Sequence, residues 1–138
     1  MIGKHSVRGQ RGGTATETAL MLPMVVLLIF GMIEFSLLLY NRQVITNGSR
    51  EGARAGIVQT GGARVPDGDI TTVVNQYCAN RLVTFGAASG PSTAVARAGT
   101  GFGSDLTVRV TYDYDFLVLT NFGFGPIQLV AETLMKLE

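Results

Sequence analysis

At 138 residues the chain can build one small domain and is too short for two with separate cores. Hydrophobic residues make up 46% and charged ones 15%, which excludes a disordered chain, a state that needs low hydrophobicity and high charge. A formal net charge of +1 implies no acidic partner. The basic N-terminal cluster, which a nucleic-acid tail would also show, is followed by a membrane-length apolar segment, so no nucleic acid is expected.

The charge distribution says more than its sum. Lys4, His5, Arg8 and Arg11 crowd the first dozen residues, and the first acid is Glu17. From Thr18 to Ile33 no residue is charged, and after Glu34 the apolar run continues to Tyr40. A hydrocarbon core of ~30 Å takes roughly 20 helical residues at ~1.5 Å each, so the run is long enough to cross a bilayer. A secretory signal peptide also starts basic and turns apolar, but its apolar core is roughly 7–15 residues and ends in a small-residue cleavage site. Here the helical pattern runs on past the membrane, so the segment reads as retained, with a basic leader over 1–12. The basic flank places the N-terminus in the cytoplasm and the rest of the chain outside, as expected of a membrane protein with a single span.

Three residues in this region stand out. Pro23 removes one helical hydrogen bond, which membrane helices tolerate. Glu34 lies within about two turns of the outer edge. It reads either as a carboxylate at the interface or as a partner for a basic group on a neighbouring subunit. Glu17 lies at the cytoplasmic edge, where a lone carboxylate is costly to desolvate unless it meets a positive group.

Beyond the membrane, Tyr40, Val44, Gly48, Gly52 and Gly56 follow one another at i+4, and Arg42, Thr46, Arg50 and Arg54 form a second such row. Each Gly costs a helix up to ~1 kcal/mol relative to Ala. Three on one face therefore suggest a surface that another backbone or a sheet approaches closely. The competing expectation is that the helix ends at Asn47-Gly48. Unbroken, the transmembrane and stalk helix would cover 13–56 and span on the order of 60 Å.

Residues 57–138 form the extracytoplasmic head. Gln59 to Gly68 reads as a loop, and Asp67 or Asp69 can cap a helix running to about Phe85. Its apolar stripe is Ile70, Val73, Val74, Tyr77, Cys78 and Leu82. Gly86 to Pro91 breaks the chain. Leu106 to Phe116 alternates strictly between apolar and polar residues, the period of a strand with one buried face. A turn at Asn121 to Pro126 leads to a second alternating run, Ile127 to Leu137, and Thr93 to Ala98 supplies a third strand through the Gly99-to-Ser104 loop. The expected fold class is α+β: a long N-terminal transmembrane helix continuing as a stalk and packed on a small antiparallel sheet with one further helix.

Chemistry-bearing constellations are sparse. Cys78 is the one cysteine and His5 the one histidine, so neither a Cys-His pair near the head nor a zinc site is expected. Cys78 reads as a buried thiol. Gly99-Thr-Gly-Phe-Gly lacks the Lys-Ser/Thr of a phosphate loop and reads as a turn. Asp113 and Asp115 fall on one strand face, where a solvated surface is the simpler reading than a carboxylate pair. Asp67-Gly68-Asp69 lacks the further ligands of a calcium loop. No catalytic residue, metal or cofactor is expected, and the chain is not read as an enzyme.

Against this background, Arg11 to Tyr40 resembles the N-terminal segment of TadE-like proteins, pseudopilins of the Flp (tight adherence) pilus system. The matching features are the basic leader ending in Gly12, Glu17 followed by Leu20-Met21-Leu22-Pro23, and Gly31-Met32-Ile33-Glu34-Phe35. The likeness continues through Arg50-Glu51-Gly52-Ala53-Arg54-Ala55 and loosely over the closing residues Ala131 to Glu138. Thr18 departs from the Phe usual in the family. The resemblance implies a pilin-like fold and cleavage by a prepilin peptidase between Gly12 and Gly13, which makes Glu17 the fifth mature residue. Its carboxylate could then pair with the new α-ammonium of a neighbouring subunit. The implied partners are the peptidase, other Tad/Flp pilus subunits, inner-membrane assembly proteins and the lipid bilayer, with a role as a minor pilin in pilus biogenesis, adhesion or biofilm formation. The alternatives are a single-pass, membrane-anchored binding or sensor domain, which would need a pocket of converging polar groups, and an anchored hydrolase using the Asp pair.

Overall fold

A computed structural model describes residues 10–60, 63–85 and 89–138, with side chains from residue 13 onward except at Thr60. The order of elements is α1 (Gln10–Ile57), β1 (Gln59–Thr60), β2 (Ala63–Arg64), α2 (Asp67–Cys78), β3 (Ser92–Arg97), β4 (Asp105–Tyr114), a 3-10 helix (Leu119–Phe122) and β5 (Ile127–Lys136). This is the α+β composition read from the sequence. The chain divides into two compact units, Met1–Ile33 and Glu34–Glu138.

In the first unit the described residues are helical from Gln10, so helix has begun before Gly13. Its large apolar side chains, from Leu20 to Ile33, are exposed. Pro23 sits inside the helix. The helix Gly13–Ile57 contains a window apolar enough to cross a membrane, and only 6% of that window is buried within the protein. An exposed surface of this kind needs an apolar medium or apolar neighbours.

The second unit takes in the rest of α1. The helix does not stop at Asn47-Gly48; it runs to Ile57, where the Arg64 guanidinium donates to the Ile57 carbonyl at 2.9 Å and satisfies one of the orphan acceptors of the last turn. Gly48, Gly52 and Gly56 lie against α2. A methyl group at these positions would approach Cys78 Sγ to 2.9 Å, Val74 Cγ2 to 2.5 Å and Ile70 Cδ1 to 2.6 Å, respectively. Two i+4 rows running in opposite directions therefore interlock, glycines from α1 and apolar side chains from α2. The absence of Cβ atoms on α1 permits this approach.

The sheet is an antiparallel meander with β4 in the centre, β3 and β5 at its sides. Ser92 pairs with Thr111 and Arg97 with Leu106, while Asp105 pairs with Lys136 and Tyr114 with Ile127. The inward residues of β4, Leu106, Val108, Val110, Tyr112 and Tyr114, are all buried, joined by Leu129 and Ala131 of β5 and by Val44, Ile45 and Ala53 of α1. Burying each large side chain is worth ~1.5–3 kcal/mol. The outer face is mixed: Val130 and Leu134 are exposed on it beside the cross-strand pairs Arg109–Glu132 and Lys136–Asp105, each at 2.9 Å. Exposed pairs of this kind contribute ~0.2–1 kcal/mol.

Three boundaries differ from expectation. Helix α2 ends at Cys78 rather than near Phe85, because Asn80 takes a left-handed φ of 60° and the Ala79 amide closes the helix on Asn75. Leu82 still packs against the core, from a loop. The 59–68 segment contains the two short strands β1 and β2, paired antiparallel. The β4–β5 connection contains a 3-10 helix closed by Gly123, whose φ of 87° favours glycine.

Candidate functional site

The residues singled out from the sequence fall in two places. Gly12, Gly13 and Glu17 lie in the opening turns of α1. A Cβ on Gly13 would meet nothing within 4 Å, and Glu17 is exposed. Thr18 returns its hydroxyl to the Thr14 carbonyl at 2.8 Å. Among the described residues no cation forms an ion pair with Glu17. The leader's first nine residues lie outside those described.

Glu34 belongs to the second unit and is 1% exposed. Its carboxylate accepts hydrogen bonds from the Val118 amide and, at 3.4 Å, from the Leu119 amide. These amides open the 3-10 helix, where the residue at the cap position, Val118, makes no side-chain cap of its own. A carboxylate at such an end satisfies orphan donors and meets the positive pole of the peptide dipoles. The sequence reading left Glu34 between the membrane interface and a neighbour's basic group. The structure supplies a third arrangement, a cap within the same chain, and contact with a neighbour's cation would have to compete with it. Sequence spacing could not reveal this partner, since the cap joins positions 84 and 85 residues apart.

Asn41, two turns further along α1, makes a paired contact of the same sort. Its amide donates to the Val83 carbonyl at 2.6 Å and its carbonyl oxygen accepts from the Val83 amide at 2.9 Å. The side chain is fully buried and replaces a strand neighbour for an irregular segment. Ser49 adds a third link, its hydroxyl 2.7 Å from that of Thr133 on β5. Sequence reasoning missed Asn41 and Ser49. The one available signal was a small polar residue on the apolar side of a helix.

Tyr112 and Tyr114 of β4 are both buried, and Tyr114 packs edge-on to Phe116 with ring centroids 5.4 Å apart. Burial chiefly, and then the Glu34 and Tyr112 charges, push the Tyr114 phenol up. Cys78 is buried as expected; desolvation pushes its thiol up against the opposing pull of Arg81, whose guanidinium lies 4.3 Å from the Tyr77 ring centroid. A raised thiol favours the neutral form, the less nucleophilic one.

The remaining candidates disperse. Asp113 is exposed on β4 and accepts from the Gln128 amide at 3.2 Å, whereas Asp115 lies past the end of the strand. Asp67 pairs with Arg97 at 2.9 Å, and Arg97 also donates to the Val65 carbonyl at 2.6 Å, which ties α2 to β3. No group of three or more His, Cys, Asp or Glu residues able to hold a metal occurs among the described residues. A hollow of about 400 Å3 beside the end of α2 brings together Asn75, Asn80 and Ser89 with Cys78, Leu82 and Pro91, and no charged side chain among the described residues lines it.

The fold and these contacts define a class: a small α+β head whose first helix continues from an exposed, membrane-length apolar segment. The family model for TadE-like proteins matches residues 12–54, the apolar segment and the glycine-faced part of α1. That stretch contains Gly12, Gly13, Glu17, Glu34, Asn41 and the glycines Gly48 and Gly52. The chain thus carries a TadE-like segment, as the sequence motifs indicate. No curated protein and no solved structure matches the chain.

Proposed function

We propose that the chain is a minor pilin or pseudopilin of a Tad-type pilus, a non-catalytic assembly subunit anchored in the bacterial inner membrane with its head outside. The observation that carries this reading is the coincidence of the TadE-like match with a helix that exposes a membrane-length apolar surface and leads into a glycine-faced segment docked on the head. The apolar surface serves as membrane anchor and, on assembly, as a contact between helices of neighbouring subunits.

In this reading a prepilin peptidase cuts between Gly12 and Gly13. Among the described residues a Cβ on Gly13 would meet nothing within 4 Å, which suits access to that bond. The product α-ammonium of one subunit pairs with Glu17 of the next, giving that carboxylate the positive partner it needs at the edge of the hydrocarbon. Glu34, Asn41 and Ser49 have a different task. They bind the head's loops and sheet to α1, so that movement of the helix carries the head with it.

The test is the intact mass of the membrane-extracted protein from cells with and without their prepilin peptidase. A chain beginning at Gly13 only in the presence of the peptidase is expected. A chain beginning at Met1 in both strains would refute processing and favour a permanently tethered binding domain.

A further inference from the structure

We propose that the β4–β5 connection, residues 116–127, is a second membrane contact, which lays its apolar side chains into the outer interface of the bilayer. The inference rests on the reading of α1 as a membrane anchor and adds a site to it. No residue from Phe116 to Ala131 is charged. Leu117, Phe122, Phe124 and Ile127 are all substantially exposed, Phe122 at 60% and Phe124 at 56%. Within the same unit, Phe35, Leu39 and Tyr40 of α1 are exposed as well.

The Glu34 cap decides where this loop sits along α1. It holds the Val118 and Leu119 amides beside the helix at Glu34, the residue that follows Ile33 in the apolar run. A span of roughly 20 residues beginning at Thr18 closes near Leu37, beyond Glu34. The loop is therefore held at the level where α1 leaves the hydrocarbon. Arg42 and Asp115 lie close by in sequence on the polar side, as suits a headgroup layer. Exposed aromatic and aliphatic side chains at that level gain by entering the interface, and the exposed Phe35, Leu39 and Tyr40 extend in sequence the apolar run that the anchor lays into lipid. Lipid is accordingly the occupant, rather than a second copy of the chain. Phe102 provides an internal comparison: it is 89% exposed but lies in the β3–β4 connection, at the opposite end of the sheet.

The experiment uses the full-length chain with Cys78→Ala and one new cysteine, at Leu27, Phe122, Phe124 or Phe102, carrying an environment-sensitive fluorophore. Each protein is reconstituted into phosphatidylcholine vesicles containing lipids with a nitroxide at a shallow or a deep acyl position, with near-UV circular dichroism confirming the folded head. The label at Leu27 should be quenched by the deep nitroxide, those at Phe122 and Phe124 several-fold more by the shallow one, and that at Phe102 by neither. Quenching at Leu27 with Phe122 and Phe124 behaving like Phe102 would overturn the second contact and leave the anchor standing. Phe122 and Phe124 shielded from aqueous iodide but untouched by either nitroxide would put a second copy on the patch and also overturn it. No quenching at Leu27 would remove the anchor, and this proposal with it.

Discussion

Gly52→Ala tests the packing that joins α1 to the head. Two effects oppose each other. Replacing Gly by Ala inside a helix gains up to ~1 kcal/mol from backbone entropy. The new methyl, however, would stand 2.5 Å from Val74 Cγ2, far inside ordinary carbon–carbon contact. Val74 is fully buried and β-branched, and in a helix such a side chain has essentially one rotamer, so it cannot swing aside. Overpacking of this kind costs ~1–3 kcal/mol. Taken from the middle of the two ranges, the balance is a net loss of about 1 kcal/mol and at most ~2, with ~4–8 °C in Tm for each kcal/mol in a head of this size. The assay is a thermal melt of the full-length protein in detergent, followed by the near-UV signal of the buried tyrosines Tyr112 and Tyr114. Gly31→Ala is the control, since a Cβ there meets nothing within 4 Å and keeps the propensity gain alone. Val74→Ala frees the space, so the double variant Gly52→Ala/Val74→Ala should be more stable than the summed single effects by ~1 kcal/mol or more. Gly52→Ala as stable as the parent, or strict additivity in the double variant, would refute the argument that close approach dictates glycine.

The other expectations concern the polar links and the titrating groups. Glu34→Ala leaves the Val118 and Leu119 amides uncapped and should cost ~1.5–3 kcal/mol, with faster chymotryptic cleavage at Leu117, Phe122 or Phe124; Glu34→Gln, which keeps an acceptor, should lose less. Asn41→Ala strands both backbone groups of Val83 and should cost ~1–3 kcal/mol in a urea melt. Glu17→Gln should leave the melting of the head unchanged and still reduce incorporation into pili, measured by fractionating sheared filaments from membranes. Raising the pH tests Cys78 and Tyr114. Burial raises both groups, so the fold holds them neutral while the unfolded chain ionises its thiol near pH 9.0 and its phenol near 10.0. Their stabilising contribution is complete below pH 9.0 and falls as the pH rises towards the folded-state values, a loss that Cys78→Ala should lessen in urea melts at pH 8, 9 and 10.

Much of the architecture is local information and therefore legible in the sequence. The uncharged run after Thr18 announces a membrane-length helix because the bilayer has a set thickness. The strict alternation of Leu106 to Tyr114 announces β4 because successive strand side chains face opposite ways. Gly48, Gly52 and Gly56 at i+4 announce a close approach because nothing else justifies their cost in a helix. What no local pattern states is which surfaces meet. That the glycines receive Ile70, Val74 and Cys78, that Glu34 caps a 3-10 helix more than eighty residues away, and that Asn41 stands in as a backbone partner for Val83 are decided only when the chain closes on itself. Hydrogen bonds of this kind depend on the three-dimensional placement of one donor and one acceptor, and neither periodicity nor composition encodes a single distant pair. The end of α2 is a similar case. Leu82 fits the stripe that begins at Ile70, but Asn80 turns the backbone left-handed and delivers the same side chain to the core from a loop. The pattern of apolar residues thus determined what is buried, and tertiary packing decided by which route each side chain reaches the core.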